Sequence, residues 1–203
     1  MNIEKIAKKI VEEYPRIHSE KDPFKVLITT VLSQRSKDEN TEIAAKNLFK
    51  KYKTVEELSK AKEEALYELI KPAGLYRQKA KRIIEISKII IEKFSGKVPD
   101  NLNDLISLPG VGRKTANIVL YVSFSKPALA VDTHVHRISN RIGWVKTKTP
   151  EETEFELMKI LPKNLWGPIN GSMVEFGKNV CLPRAPKCNI CPIYKYCKWE
   201  GKK

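Results

Sequence analysis

Residues 108–116 read Leu-Pro-Gly-Val-Gly-Arg-Lys-Thr-Ala, and they constrain the fold more than any other stretch of the chain. Before them, Asn101 to Leu108 has the pattern of a short helix, which Pro109 and Gly110 interrupt. After them, Ala116, Ile118, Val119, Leu120 and Val122 mark a second helix starting near Arg113. Glycines at 110 and 112 permit backbone angles that other residues resist. A helix, a tight Gly-x-Gly hairpin and a second helix, over about 101–124, make an anion site from N–H groups at the second helix's start. Gly110, Val111, Gly112 and Arg113 are the candidate contacts. Such a contact grips a nucleic-acid backbone without reading its sequence.

Two reactive groups flank the hairpin. Lys114 falls in the first turn of the second helix, where the positive end of the dipole disfavours its ammonium form. A neutral lysine amine is a nucleophile suited to Schiff-base chemistry. Asp132 precedes Thr133-His134-Val135-His136-Arg137-Ile138, a predicted helix, so it stands at an N-cap, ionised and fixed in direction. Taken alone, a lysine near a helix start is a solvated charge and an aspartate there is a cap. It is the combination that points to chemistry.

The rest of the chain reads as helices. Ile3, Ile6, Ile10, Val11 and Tyr14 recur at helical spacing before Pro15. Asp22-Pro23 opens a helix whose apolar residues, Phe24 to Leu32, cover nearly its whole circumference, predicting a central buried helix. The polar turn Ser33-Gln34-Arg35-Ser36 follows it. Ser36-x-x-Glu39 and Thr54-x-x-Glu57 are capping-box patterns; the first opens a helix carrying Ile43, Leu48 and Phe49. Ala73-Gly74-Leu75 breaks the chain before the longest helix, Tyr76 to Phe94, whose flank Arg77, Lys79, Lys81 and Arg82 reads as a solvated face. Thr149-Pro150 starts another helix, with Phe155, Met158, Ile160 and Leu161 inward, and Trp166 to Asn179 is the last. No alternating strand or tandem repeat is visible. The expectation is an all-α architecture of roughly nine or ten short helices.

The chain has 203 residues, enough to bury a core in one domain or two lobes. A net charge of +14, from 38 basic and 24 acidic residues, favours a polyanionic partner. Glu4, Lys5, Lys8 and Lys9 interrupt the N-terminal apolar pattern, so no secretory leader is expected, and no uncharged stretch is long enough for a bilayer. These features predict a cytoplasmic protein without membrane contact.

All four cysteines fall at Cys181, Cys188, Cys191 and Cys197, spaced C-x6-C-x2-C-x5-C. Four thiols at the end of an otherwise cysteine-free chain suggest one metal site and not disulfides. Zinc is the competitor, although its sites usually pair cysteines twice at close spacing. The wide first gap better suits thiolates around an iron–sulfur cluster. Between the first two cysteines, Arg184 and Lys187 project from a proline-stiffened loop and are candidate phosphate contacts.

These stretches together resemble the helix-hairpin-helix DNA glycosylases, most closely the endonuclease III branch. Leu108–Ala116 and Val131–His134 match that family's two signatures in type and separation, and the cysteine spacing matches its cluster loop. The resemblance covers about Asp22 to Cys197. It implies a two-lobe fold: a six-helix bundle over roughly 21–126, and a discontinuous iron–sulfur lobe joining 1–20 to 127–203, with the active cleft between them. It implies a [4Fe–4S] cluster on the four cysteines, Lys114 as nucleophile and Asp132 as its assistant. It also implies a monomer that acts with the nucleoid on damaged double-stranded DNA, removes oxidised pyrimidines and cleaves the abasic site by β-elimination. In such enzymes a glutamine from one loop and a hydrophobic residue from another enter the base stack. Here Leu75 matches the second. Ungapped alignment puts Arg35 at the glutamine position, with Gln34 one place earlier. Two rival readings are a monofunctional adenine or thymine mismatch glycosylase and a non-catalytic iron–sulfur DNA-binding protein.

Overall fold

Asp22 shows how the first expectations are realised. Its side chain accepts the N–H of Lys25 at 2.8 Å and starts α2 (Pro23–Ser33), with Pro23 in the first turn. Phe24, Val26, Leu27, Ile28, Val31 and Leu32 are all buried, as the all-round apolar pattern of that helix requires. The computed structural model describes residues 3–202; the ends of the expected lobe boundaries, residues 1, 2 and 203, lie outside it. The described residues hold eleven α-helices, three short 3-10 turns and no strand. None of these helices is long and apolar enough to cross a membrane.

Two units divide the chain: Ser19–Lys126, and Met1–His18 together with Pro127–Lys203. In the first, α2 packs on α3 (Asp38–Lys51) and on α8 (Arg113–Phe124). The long α6 (Tyr76–Phe94) packs on α4 (Val55–Ser59) and α5 (Glu63–Ile70). A 3-10 turn, Lys71–Ala73, leads to α6, and α7 (Leu102–Ile106) leads to the hairpin. Thr54 caps α4 by accepting the N–H of Glu57.

The second unit holds α1 (Ile3–Glu13), α9 (Thr133–Ile142), α10 (Pro150–Ile160) and α11 (Lys163–Asn179). Ile6 and Ile10 of α1 join Leu129, Val135, Ile138, Leu157, Met173 and Phe176 in one core. The Tyr14 ring lies 5.2 Å from that of Phe176. Asn170 Nδ2 donates to the Ala130 carbonyl at 2.8 Å, pinning the buried extended run that leads to Asp132. At Gly177 a side chain would run into His134, so α9 and α11 approach closely there.

Several sequence expectations are corrected. Ser36 caps no helix: α3 begins at Asp38 after Lys37, and the Ser36 hydroxyl bonds the Lys37 carbonyl instead. Ile43, Phe155 and Ile160 are exposed, and Leu157 is the buried apolar residue of α10, beside Thr153 and Glu154. Helical spacing identifies an apolar arc but not which part of it the neighbours cover. The last helix starts at Lys163, three residues before Trp166, and carries Pro168 within it. Lys79 is no part of a solvated face: it is buried, 2% exposed.

Candidate active site

Asn101 begins the hairpin region by capping α7, its side chain accepting the N–H of Asp104 at 3.0 Å. Leu108 and Val111 are buried, and Val111 N–H donates to the Leu108 carbonyl at 3.1 Å. That bond closes the turn around Gly110, whose φ of 72° is the left-handed conformation that favours glycine. A side chain at Gly110 would also meet the Arg82 guanidinium. Gly112 is different. With φ −92° and ψ 175° it has extended backbone open to any residue, and it serves as the N-cap of α8. The freedom expected at both glycines is therefore needed only at the first. Arg113 and Lys114 are the first two residues of α8, so their amides lie in the positive first turn. Lys114 is half-buried, with Thr115, Ala116 and Asn117 buried behind it. Lys126, just past the end of α8, is engaged by Asp100 at 2.6 Å.

Asp132 belongs to the other unit. It caps α9, and its Oδ1 accepts the N–H of both His134 and Val135, each at 2.9 Å. These two local bonds orient the carboxylate, as its N-cap position predicts. Helix α9 then reaches the cysteine loop. Arg137 donates to the Cys181 carbonyl at 2.8 Å, and Arg141 to the carbonyls of Leu182 at 2.7 Å and Pro183 at 2.8 Å. The Arg141 guanidinium also lies 4.1 Å from the Trp199 ring centre. Burial lowers the pKa of Arg137. Neither arginine was singled out from sequence; their four-residue spacing on one helix was the available clue.

No disulfide joins the cysteines. All four line one cavity, with Arg141, Ile142, Phe176, Ile193 and Trp199 among its other walls. Among the described residues no three His, Cys, Asp or Glu are grouped so as to hold a single metal ion. Four thiols around a shared apolar-walled space fit a polynuclear thiolate-bound group. Burial pushes the Cys191 thiol up to about 11, so a bound cation must displace its proton. Arg184 and Lys187 are exposed on the loop, either side of Ala185, which takes a left-handed φ of 46°.

The two loops expected to enter DNA both lie in the first unit. Gln34 Nε2 donates to the Gly110 carbonyl at 2.9 Å, and its Oε1 accepts from Arg82 at 3.1 Å. Gln34 is thus a brace between its own turn and the hairpin. Arg35 is exposed, with a left-handed φ of 53°. Leu75 is 52% exposed and also left-handed, with φ 49°. Lys79 and Arg82, which sequence reasoning placed on a solvated flank, instead hold these turns.

Comparison with known proteins bears on what such an arrangement does. The family model for HhH-GPD superfamily base excision DNA repair proteins matches residues 28–163. Endonuclease III of Thermotoga maritima is 65% identical over 201 residues, spanning 99% of this chain and 94% of that protein. A trapped endonuclease III–DNA covalent intermediate has a TM-score of 0.89 and 38% identity, over 97% of this chain and 94% of that one. A thermostable thymine-DNA glycosylase is similar at TM-score 0.86 and 27% identity, over 96% and 94% of the two chains.

Proposed function

The chain belongs to the HhH-GPD superfamily of base excision DNA repair proteins, and from that premise we propose which residues carry its chemistry. It is a DNA glycosylase and abasic-site lyase of the endonuclease III type. The reading rests on one observation above the others: Lys114 stands second in the helix leaving the Gly110 hairpin, in a chain 65% identical to an endonuclease III.

The substrate is a damaged nucleotide flipped from duplex DNA, an oxidised pyrimidine by preference. The neutral Lys114 amine attacks the sugar C1′. A nitrogen–carbon bond forms, and the base leaves with the glycosidic electron pair and takes up a proton. The sugar ring opens to a Schiff base. Loss of a C2′ proton then expels the 3′ phosphate, cutting the strand. Asp132 stabilises positive charge on the sugar and manages the lysine's proton. The hairpin amides from Gly110 to Arg113 grip the backbone, with Arg184 and Lys187 holding further phosphates. Arg35 and Leu75 fill the space left by the flipped nucleotide, and Gln34, occupied by Gly110 and Arg82, braces Arg35. An arginine there can donate to guanine acceptors in the opposite strand. Cys181, Cys188, Cys191 and Cys197 hold a [4Fe–4S] cluster; their common cavity supports this. When bound, the cluster supplies a rigid tie for the phosphate-gripping loop.

Borohydride trapping on a duplex carrying an abasic site tests this reading. Wild type forms a covalent adduct. Lys114→Ala forms none but still binds an abasic-site analogue, because the hairpin grips through its backbone. A trappable Lys114→Ala protein would sink the mechanism. The likeness to a thymine-DNA glycosylase supports a second reading, a monofunctional mismatch enzyme, which wild type would reveal by releasing base without ever trapping.

A further inference from the structure

Buried lysines are rare because desolvating an ammonium is expensive, so one that persists usually has assigned partners. Lys79 is 2% exposed and donates to two backbone carbonyls, Leu32 at 2.7 Å and Ala73 at 2.9 Å. Leu32 lies one residue before the end of α2, where the dipole is negative and four carbonyls lack helical donors. Ala73 ends the 3-10 turn. The two carbonyls are far apart in sequence, and one ammonium joins them.

Each carbonyl stands just ahead of a residue expected to enter DNA. Three residues past Leu32 stands Arg35, and two past Ala73 stands Leu75. Both are exposed, and both are non-glycine residues in the left-handed region, a conformation costing on the order of 1 kcal/mol or more. Such backbone persists only where the surroundings over-determine it. The two bonds of the Lys79 ammonium bear on both sides, at Leu32 and at Ala73. Packing alone would be met by an apolar side chain of similar length without the desolvation cost.

We propose that Lys79 is a positioning residue for nucleotide extrusion: by tying the carbonyls of Leu32 and Ala73 together, its ammonium sets the placement of Arg35 and Leu75 as a pair. The inference rests on the assignment of those two residues as the DNA-entering side chains. Lys79 does not touch DNA itself.

The test compares two substrates under single-turnover, enzyme-saturating conditions: a duplex with an oxidised pyrimidine, which must be extruded, and a single-stranded oligonucleotide with a preformed abasic site, which need not be. Lys79→Met should slow base release from the duplex by about ten- to hundred-fold, the scale of a small misplacement in an otherwise intact site. Borohydride trapping on the single strand should be spared. Lys79→Arg, which keeps a charged donor, should recover part of the duplex rate. Combining Lys79→Met with Leu75→Ala should cost less than the product of the single losses, since both act through one loop. Equal loss on both substrates, with folded fraction matched by circular dichroism, would mean Lys79 is merely structural. An unchanged duplex rate would also overturn the proposal. If Lys79→Met does not fold, Lys79→Gln, which is shorter and uncharged, is judged by the same comparison: a loss confined to the duplex supports positioning, and an equal loss or none overturns it. Failure of the functional reading itself has a different signature, absence of trapping by wild type on either substrate.

Discussion

Asp132 is both a cap and a charge, and substitution separates the two. Asn keeps an acceptor for the His134 and Val135 amides, so Asp132→Asn should lower the melting temperature little. It removes the charge proposed to face the developing cation, so base release should slow by roughly 10²–10³. Trapping at a preformed abasic site should suffer less, because no glycosidic bond remains to be broken. Equal losses in the two assays would assign Asp132 to structure alone. Lys79 makes a second prediction at this scale. Burial, and then the neighbouring Arg82 charge, push its pKa from 10.5 to about 8. Between those values the unfolded chain holds the proton and the folded protein does not. Stability therefore gains as pH rises through that window and is lost as pH falls back toward 8. The full shift corresponds to about 3 kcal/mol. Urea unfolding of wild type and Lys79→Met at pH 7.5, 9 and 10.5 isolates it. The stability of wild type relative to Lys79→Met should rise with pH, and a constant difference would refute the assignment.

At the scale of elements, α9 does two jobs along its length. Its first turn orients Asp132, while Arg137 and Arg141 hold the backbone of the cysteine loop. The loop's own cations are thereby presented from a fixed backbone. Each phosphate contact removed should reduce the salt dependence of DNA binding by about one unit of slope. Replacing both Arg184 and Lys187 with alanine should thus lower the slope of log affinity against log salt concentration by about 2. Fluorescence anisotropy with undamaged duplex measures this. An unchanged slope would mean the loop is basic for another reason.

For the whole molecule, the net charge of +14 favours salt-dependent association with DNA, while the four cysteines line one cavity. The purified protein should be yellow-brown and carry about four iron and four sulfide per chain. Metal analysis giving about one zinc and no iron would reject the cluster. Cys188→Ser should weaken DNA binding more than single-turnover cleavage at saturating enzyme, because the loop it releases carries the proposed phosphate contacts Arg184 and Lys187 and not the proposed nucleophile. The opposite ranking would place the cysteine centre in the chemistry.

What the sequence determined by itself is what local bonds decide. The caps at Asp22, Thr54, Thr149 and Asp132 close onto amides two or three residues ahead, so each was legible from the residue type and the helical pattern after it. The break at Pro109-Gly110 and the cysteine spacing are local in the same sense. Tertiary structure alone decided the rest. Gln34 became a brace because Gly110, 76 residues away, offers it a carbonyl. Lys79 reads in sequence as one more cation among Arg77, Lys81 and Arg82, and its burial depends on Leu32, 47 residues earlier. Ile43 and Phe155 occupy apolar positions yet face outward, since the covered arc of a helix is set by which neighbours arrive. A side chain's nearest residues in sequence set its backbone, but its charge state and task depend on partners that only folding brings within hydrogen-bond reach.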